Sequence, residues 1–346
     1  MTARRRVSGI DQLRGLAIAL VMLRHAWPST FQGAGIVGVV MFFTLSGHLI
    51  TGILLDELDR SGRVGFGAFY LRRARRLLPA LLVVVLVVVV VTLVADPLDD
   101  RDQLLRTVLA ALTFTGDLPF GHGSDATFHL WTLATEEQFY LVWPALLLLA
   151  HRRGRVVPGI AAAGVLTVAA AVFTAWWFRE DPVLAYALPT PWAICFVVGA
   201  AAQVRVLHGR ALVPRPRGTI VLVLLVLAAL SLAPLRDHSL TYVLGAPLVA
   251  ALTAVLLLDA RARDARPGGA EPPRLLRACA ILGTVSYGAY LWNYPLTLWL
   301  SPELGAVAAP VVIALTLLAA ALSWRWIEQP AMRLGRRRVA RPEAAR

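Results

Sequence analysis

Long uninterrupted apolar runs constrain the fold of this chain more than any other feature. Several exceed 18 residues, the length at which a helix crosses about 30 Å of hydrocarbon. The clearest cover 77–95, 156–178 and 304–324. Hydrophobic residues make up 58% of the 346 positions, against roughly 45–50% in soluble domains. The sequence therefore predicts an all-α integral membrane protein that crosses the cell membrane several times, and it excludes a soluble helical domain.

About ten apolar runs are candidate transmembrane helices. They cover 12–31, 35–55, 77–95, 128–150, 156–178, 190–204, 218–234, 241–258, 279–300 and 305–327. One further stretch, 104–116, is ambiguous, because about 13 mainly apolar residues fall short of a full span.

The arginines decide whether 104–116 crosses the membrane, because short basic loops stay on the cytoplasmic side. The loops at 56–76 and 152–155 are both rich in arginine, so an even number of crossings must separate them. The runs 77–95 and 128–150 supply two. We therefore predict that 104–116 is a short interfacial or re-entrant helix and that both termini are cytoplasmic.

The net charge of +13 raises the question of a nucleic-acid partner. The arginines instead lie in short segments between apolar runs, as topology determinants do, so we expect no nucleic acid. Two cysteines, Cys195 and Cys279, are too few for a metal cluster or a disulfide framework, and we expect no metal. We predict one transmembrane domain over 1–330 and a basic, disordered cytoplasmic tail over 331–346.

Ionisable groups inside the predicted spans are costly and often functional. Arg14 and His25 lie eleven residues apart in the first span, so they project from one helix face about 16 Å apart along the axis. Glu136 lies at a depth similar to that of His25 in the fourth span, so the two side chains could meet. Structural alternatives stay open: Arg14 could pair with Asp11 at the interface, and His25 could be a hydrogen-bonded helix contact.

Four arginines lie within five positions just before the third span: Arg72, Arg73, Arg75 and Arg76. Guanidinium groups bind phosphate through two parallel hydrogen bonds, so the cluster suits a phosphate-rich ligand. The alternative is that it serves as a topology signal and an anchor to anionic lipid. The residues alone leave both readings open.

Five motifs in this chain resemble, in order, those of the acyltransferase-3 family of membrane O-acyltransferases. They are Arg14 with His25 in the first span, Gly38–Gly47, Arg73 with Arg76 (or Arg72 with Arg75), Phe128–Tyr140, and Ser286–Pro295. The family's ten-span core agrees with the topology predicted from the arginines. The chain departs from the family pattern where Thr132 replaces a serine and Asn293 replaces the late histidine.

The resemblance implies an enzyme that transfers an acyl group, often acetyl, from acyl-CoA to a hydroxyl of a sugar or a glycosylated small molecule. Acyl-CoA would be a co-substrate, with no permanently bound cofactor. His25 is suited to act as general base, and Arg14 would line the route inward. If Glu136 meets His25, it would orient the imidazole or stabilise the imidazolium. The arginine cluster would hold the phosphates of CoA. Further residues expected to support the substrate or the site are Ser46, His129, Trp131, Tyr287 and Asn293.

A competing hypothesis is a proton-coupled transporter in which Arg14, His25 and Glu136 form a proton relay. It assigns no role to the arginine cluster. The sequence does not identify the acceptor, the acyl chain length or the oligomeric state.

Overall fold

The computed structural model describes residues 8–118, 123–207, 213–265 and 272–333, and those residues form helices and connecting turns with no strand. The α-helices are α1 (Ser8–Ala26), α2 (Ala34–Ser61), α3 (Phe66–Val94), α4 (Leu104–Thr113), α5 (Trp131–Arg152), α6 (Val156–Trp177), α7 (Ala193–Leu207), α8 (Arg217–Leu232), α9 (Ala246–Asp264), α10 (Arg274–Thr284), α11 (Ser286–Leu304) and α12 (Ala308–Ser323). Short 3-10 or π segments flank several of them, and Asp125–Leu130 leads directly into α5.

Five continuous helical segments in the described residues are long and apolar enough to cross a membrane. They are Ala34–Ser61, Phe66–Val94, Val156–Trp177, Thr241–Asp264 and Ser286–Arg333. Two shorter apolar helices, Ala193–Leu207 and Arg217–Leu232, accompany them. The prediction of an all-α, multi-pass membrane protein is confirmed. Ten spans and cytoplasmic termini stay predictions.

Several predicted boundaries differ from the structure. The stretch 104–116 contains α4, whose ten residues measure about 15 Å, half of a hydrocarbon core. The predicted span 279–300 is interrupted, because α10 ends at Thr284 and α11 begins at Ser286. Helices α2 and α3 are longer than the predicted spans and leave only 62–65 between them. The arginine cluster therefore lies on α3 itself and not in a loop before it.

The chain packs as two compact units. The first comprises Met1–Gly62 and Thr135–Ser286, and the second comprises Arg63–Ala134 and Tyr287–Arg346. The second unit has a core of small and branched side chains from α3, α4, the start of α5 and α11, including Leu81, Val88 and Leu291. A single functional domain over 1–330 stays a prediction, and nearly all of the predicted tail, from 334 onward, lies outside the described residues.

Helices α2 and α5 of the first unit run in the same direction. Ser46 contacts Glu136, Thr51 accepts a hydrogen bond from Trp143, and Asp59 lies 4.0 Å from His151. These three pairs advance together along both helices. Two spans separated by one intervening crossing must be parallel, so this direction is the one expected if α3 crosses the membrane and α4 does not.

Close packing of α2 against α7 depends on two glycines. A Cβ atom at Gly47 would lie 2.0 Å from the carbonyl oxygen of Phe196, and one at Gly199 would lie 2.0 Å from that of Thr44. The same device joins α1 to α10, where a Cβ at Gly15 would lie 1.9 Å from the oxygen of Cys279. Small residues let membrane helices approach until their backbones touch, so these glycines fix where α1 and α2 carry their polar side chains.

Candidate active site

Arg14 and His25 lie on α1, as predicted, and both side chains are half-buried. Arg14 donates from Nε and Nη2 to the hydroxyl of Ser286, at 3.2 and 3.0 Å. Ser286 begins α11, immediately after the break that follows α10. The break thus places the Ser286 hydroxyl against the guanidinium group of Arg14. His25 lies in the last turn of the same helix.

Glu136 accepts two hydrogen bonds on one carboxylate oxygen. The hydroxyl of Ser46 donates to Oε1 at 2.5 Å, and the hydroxyl of Tyr140 donates to the same atom. Both donors are O–H groups, and an ionised carboxylate accepts such bonds strongly. The cluster of Ser46, Glu136 and Tyr140 therefore holds a half-buried carboxylate in one fixed orientation. Pairing of Glu136 with His25 is not among these contacts and stays a prediction.

Ser46 owes its position to its neighbour on α2. Gly47 packs its backbone against Phe196 of α7, and a step of one residue turns the helix by about 100°. Ser46 therefore points away from α7, toward α5 and Glu136. Aromatic stacking of Phe139 on Phe196, with ring centroids 4.4 Å apart, ties α5 to α7 beside the same cluster.

His129 belongs to the second unit, on the 3-10 segment before α5, and is 5% exposed. Its ring lies between those of Tyr290 and Tyr294, with centroids 5.4 and 5.2 Å away. The hydroxyl of Tyr290 donates to the backbone oxygen of His129 at 2.7 Å and also contacts the hydroxyl of Thr132. The hydroxyl that Thr132 retains in place of serine is thus part of this network.

The other predicted support residues also lie in the second unit. Trp131 is buried at the start of α5. Tyr287 donates from its hydroxyl to the backbone oxygen of Leu77 on α3, at 2.9 Å. Asn293 is fully buried and donates to Thr316 of α12 at 3.1 Å. The Asn293 side chain makes this helix contact as an uncharged amide. A group that gains or loses a proton is not needed for the contact, which agrees with asparagine in place of the family's histidine at this position.

The arginine cluster occupies the first third of α3. Arg72 and Arg76 are exposed, and Arg73 and Arg75 are half-buried. On a helix these four positions fall within an arc of about 160°. The four arginines therefore share one cationic face of α3. In a flexible loop their positions relative to one another would not be fixed.

Comparison with known proteins supplies the family. A family model described as an acyltransferase domain, Acyl_transf_3, matches residues 7–327. The chain belongs to the acyltransferase-3 family. No solved structure matches it.

Curated relatives of this acyltransferase-3 protein include proteins named as peptidoglycan O-acetyltransferases. It is 29% identical to peptidoglycan O-acetyltransferase OatA of Listeria monocytogenes, over 96% of this chain and 57% of that protein. It is also 29% identical to a provisionally named peptidoglycan O-acetyltransferase of Bacillus subtilis, YrhL, over 97% of this chain and 56% of that protein. The chain thus spans a little over half the length of these two relatives. The recognition of the family from five motifs is confirmed.

Three residues that make side-chain hydrogen bonds with the predicted site residues were not predicted from the sequence. They are Tyr140, Ser286 and Tyr290. Tyr140 lies four residues after Glu136, a spacing that places both on one helix face, so the pairing was open to prediction. Ser286 and Tyr290 both lie in the late motif, but nothing in its spacing shows that Ser286 contacts Arg14. Helix periodicity shows which residues share a face of one helix. It does not show which other helix packs against that face.

Proposed function

We propose that this acyltransferase-3 protein transfers an acyl group, acetyl in the first instance, from acyl-CoA to a hydroxyl of a carbohydrate acceptor. Peptidoglycan is the first acceptor to test, because OatA and YrhL carry that substrate in their names. The observation that carries the proposal beyond family membership is the Ser46–Glu136–Tyr140 cluster. This cluster holds a carboxylate within an apolar helical protein. Burying an ionisable group there costs free energy, and such groups in membrane spans are usually functional.

In the proposed reaction His25 takes the proton of the acceptor hydroxyl as its oxygen attacks the thioester carbonyl carbon. The C–S bond breaks, an O–acyl ester forms, and the leaving CoA sulfur receives the proton from the imidazolium. Glu136, oriented by its two hydroxyl donors, stabilises the positive charge that develops on His25. An imidazole suits this exchange because its pKa lies near neutrality.

Arg72, Arg73, Arg75 and Arg76 bind the phosphates of CoA in this proposal, and Arg14 lies along the route inward. Arginine suits this role because its planar fork donates two parallel hydrogen bonds to one phosphate. Support comes from their placement on a single helix, where the guanidinium groups share one surface.

The test measures thiol release from acetyl-CoA in membrane vesicles, with and without peptidoglycan fragments. We expect release that depends on the glycan and is lost in Glu136→Gln. Two results together would favour the transporter over this proposal. One is the absence of thiol release with every acyl-CoA and glycan tried. The other is a proton flux that is independent of CoA and is lost in Glu136→Gln.

A further inference from the structure

A cavity of about 780 Å³ opens between α6, α7 and α9, within the first unit and outside the site described above. Its walls are apolar and built from small side chains, and its polar lining consists of two arginines. The residues that define it are Val157, Ala201, Ala251 and Leu258 on the walls, with Arg205 and Arg215. Ligand sites commonly have this volume and this pattern of apolar walls with few polar groups.

The cavity lies at one end of its three helices. Val157 is in the first turn of α6, Arg205 is in the last turn of α7, and Leu258 is in the second half of α9. The wall residues on α9 run from Ala251 to Leu258, a stretch of eight residues that measures about 10 Å along the helix axis. Both α6 and the segment containing α9 are long and apolar enough to cross a membrane. The cavity therefore lies toward one end of helices that are long enough to cross a membrane.

The arginine end of the cavity is held in place by Asp259, which is 6% exposed. Its carboxylate accepts hydrogen bonds from the backbone N–H of Arg215 at 2.7 Å and from Nε of Arg263 at 2.6 Å. Asp259 thus fixes the backbone of Arg215, which is one of the residues that line the cavity. Arg205 lines the same end and is exposed. Two arginines at one end of an apolar cavity complement an anionic headgroup that carries an acyl chain.

We propose that this cavity binds one anionic phospholipid, with its phosphate on Arg205 and Arg215 and the upper part of an acyl chain between α6, α7 and α9. The positive-inside rule assigns this arginine-rich end to the cytoplasmic leaflet. Basic pockets between membrane helices on that side suit anionic headgroups, and guanidinium groups bind phosphate through two hydrogen bonds. The site is independent of the proposed acyl transfer.

The test compares retention of phosphatidylglycerol and phosphatidylcholine, with identical acyl chains, by the purified full chain in native mass spectrometry. We expect preferential retention of phosphatidylglycerol. The Arg205→Gln/Arg215→Gln variant should weaken it roughly tenfold or more, the scale of one charge-assisted hydrogen bond. The control Arg153→Gln/Arg217→Gln removes the same charge from exposed arginines outside the cavity and should retain the lipid as wild type does.

A second variant keeps the charge and fills the groove. Ala201→Leu should lower retention of phosphatidylglycerol while both arginines remain. Equal retention of the two lipids by wild type, or unchanged phosphatidylglycerol retention in the double glutamine variant, would overturn the proposal. Competition by glycerol phosphate at the same concentration would also overturn it, since the site would then recognise a phosphate without a lipid chain. None of these readouts uses acyl transfer, so their failure leaves the proposed enzyme activity untouched.

Discussion

The hydroxyl of Ser46 on α2 donates a 2.5 Å hydrogen bond to the carboxylate of Glu136 on α5, across 90 residues of sequence. The contact joins the family's second-span motif to its Glu-containing motif within one compact unit. Tyr140 donates to the same oxygen. Two hydroxyl donors hold the Glu136 carboxylate in one orientation, and the proposed stabilisation of an imidazolium on His25 depends on that orientation.

Removing either donor should therefore lower activity without unfolding the protein. We expect Ser46→Ala and Tyr140→Phe each to reduce kcat roughly tenfold or more, because a hydrogen bond to a charged group contributes ~1.5–3 kcal/mol. Thiol release from acetyl-CoA is the measurement. Thr51→Val is the control, since it removes the acceptor of Trp143 on the same helix pair and should leave kcat unchanged. Wild-type kcat in both single variants would contradict the role given to Glu136.

His25→Ala should reduce acyl transfer by a factor of about 100 or more, the range of general-base contributions, with membrane abundance near that of wild type. The matched control is His151→Ala, because His151 is also half-buried near a helix end but lies 4.0 Å from Asp59. Retention of more than about a tenth of the wild-type rate in His25→Ala would exclude His25 as the base.

The glycine contacts allow a test of packing that is separate from chemistry. Gly199→Ala places a Cβ 2.0 Å from the carbonyl oxygen of Thr44, so α2 and α7 must move apart. Overpacking of this kind typically costs 1–3 kcal/mol, and we expect a lower Tm in detergent. Gly218→Ala on α8 is the control, because a Cβ there meets nothing within 4 Å. Equal Tm values for the two variants would show that the α2–α7 contact is looser than described.

The sequence predicted the helical, membrane-spanning character of the chain better than the contacts between helices. Apolar runs long enough to cross a membrane are read along the chain and need no knowledge of neighbouring helices. The break between α10 and α11 was missed, since the apolar pattern continues through Val285. Ser46 was expected to support the site, yet its pairing with Glu136 was not foreseen. That pairing depends on which helices pack together, and here backbone contact at Gly47 and Gly199 decides it.

Topology is open to a direct test at both sides of α5. With Cys195 and Cys279 replaced by alanine, Asp125→Cys should react with an impermeant thiol reagent from outside, and Arg153→Cys only after permeabilisation. Both positions are exposed, so accessibility within the protein does not limit labelling. Reaction of Arg153→Cys from outside would mean that the segment containing α4 crosses the membrane.

Substitutions in the arginine cluster on α3 distinguish two roles for it, a binding site for the acyl donor and a membrane anchor. Replacing Arg73 and Arg76 by lysine keeps the charge, so insertion directed by positive loops should be unchanged. Lysine lacks the planar fork that binds phosphate through two hydrogen bonds. We therefore expect the double variant to insert normally and to show a KM for acetyl-CoA raised at least several-fold, on the scale of one lost charge-assisted hydrogen bond at ~1.5–3 kcal/mol.

Arg60→Lys is the control for that variant, because Arg60 lies in the last turn of α2, outside the cluster, and forms an exposed ion pair with Asp56. Such exposed pairs contribute little, so its kinetics should match wild type. Because both substitutions preserve charge, a difference in KM between them reports the geometry of the guanidinium groups and not the local potential. Wild-type KM in the Arg73/Arg76 double lysine variant would leave the cluster as a membrane anchor and would require the donor to bind elsewhere.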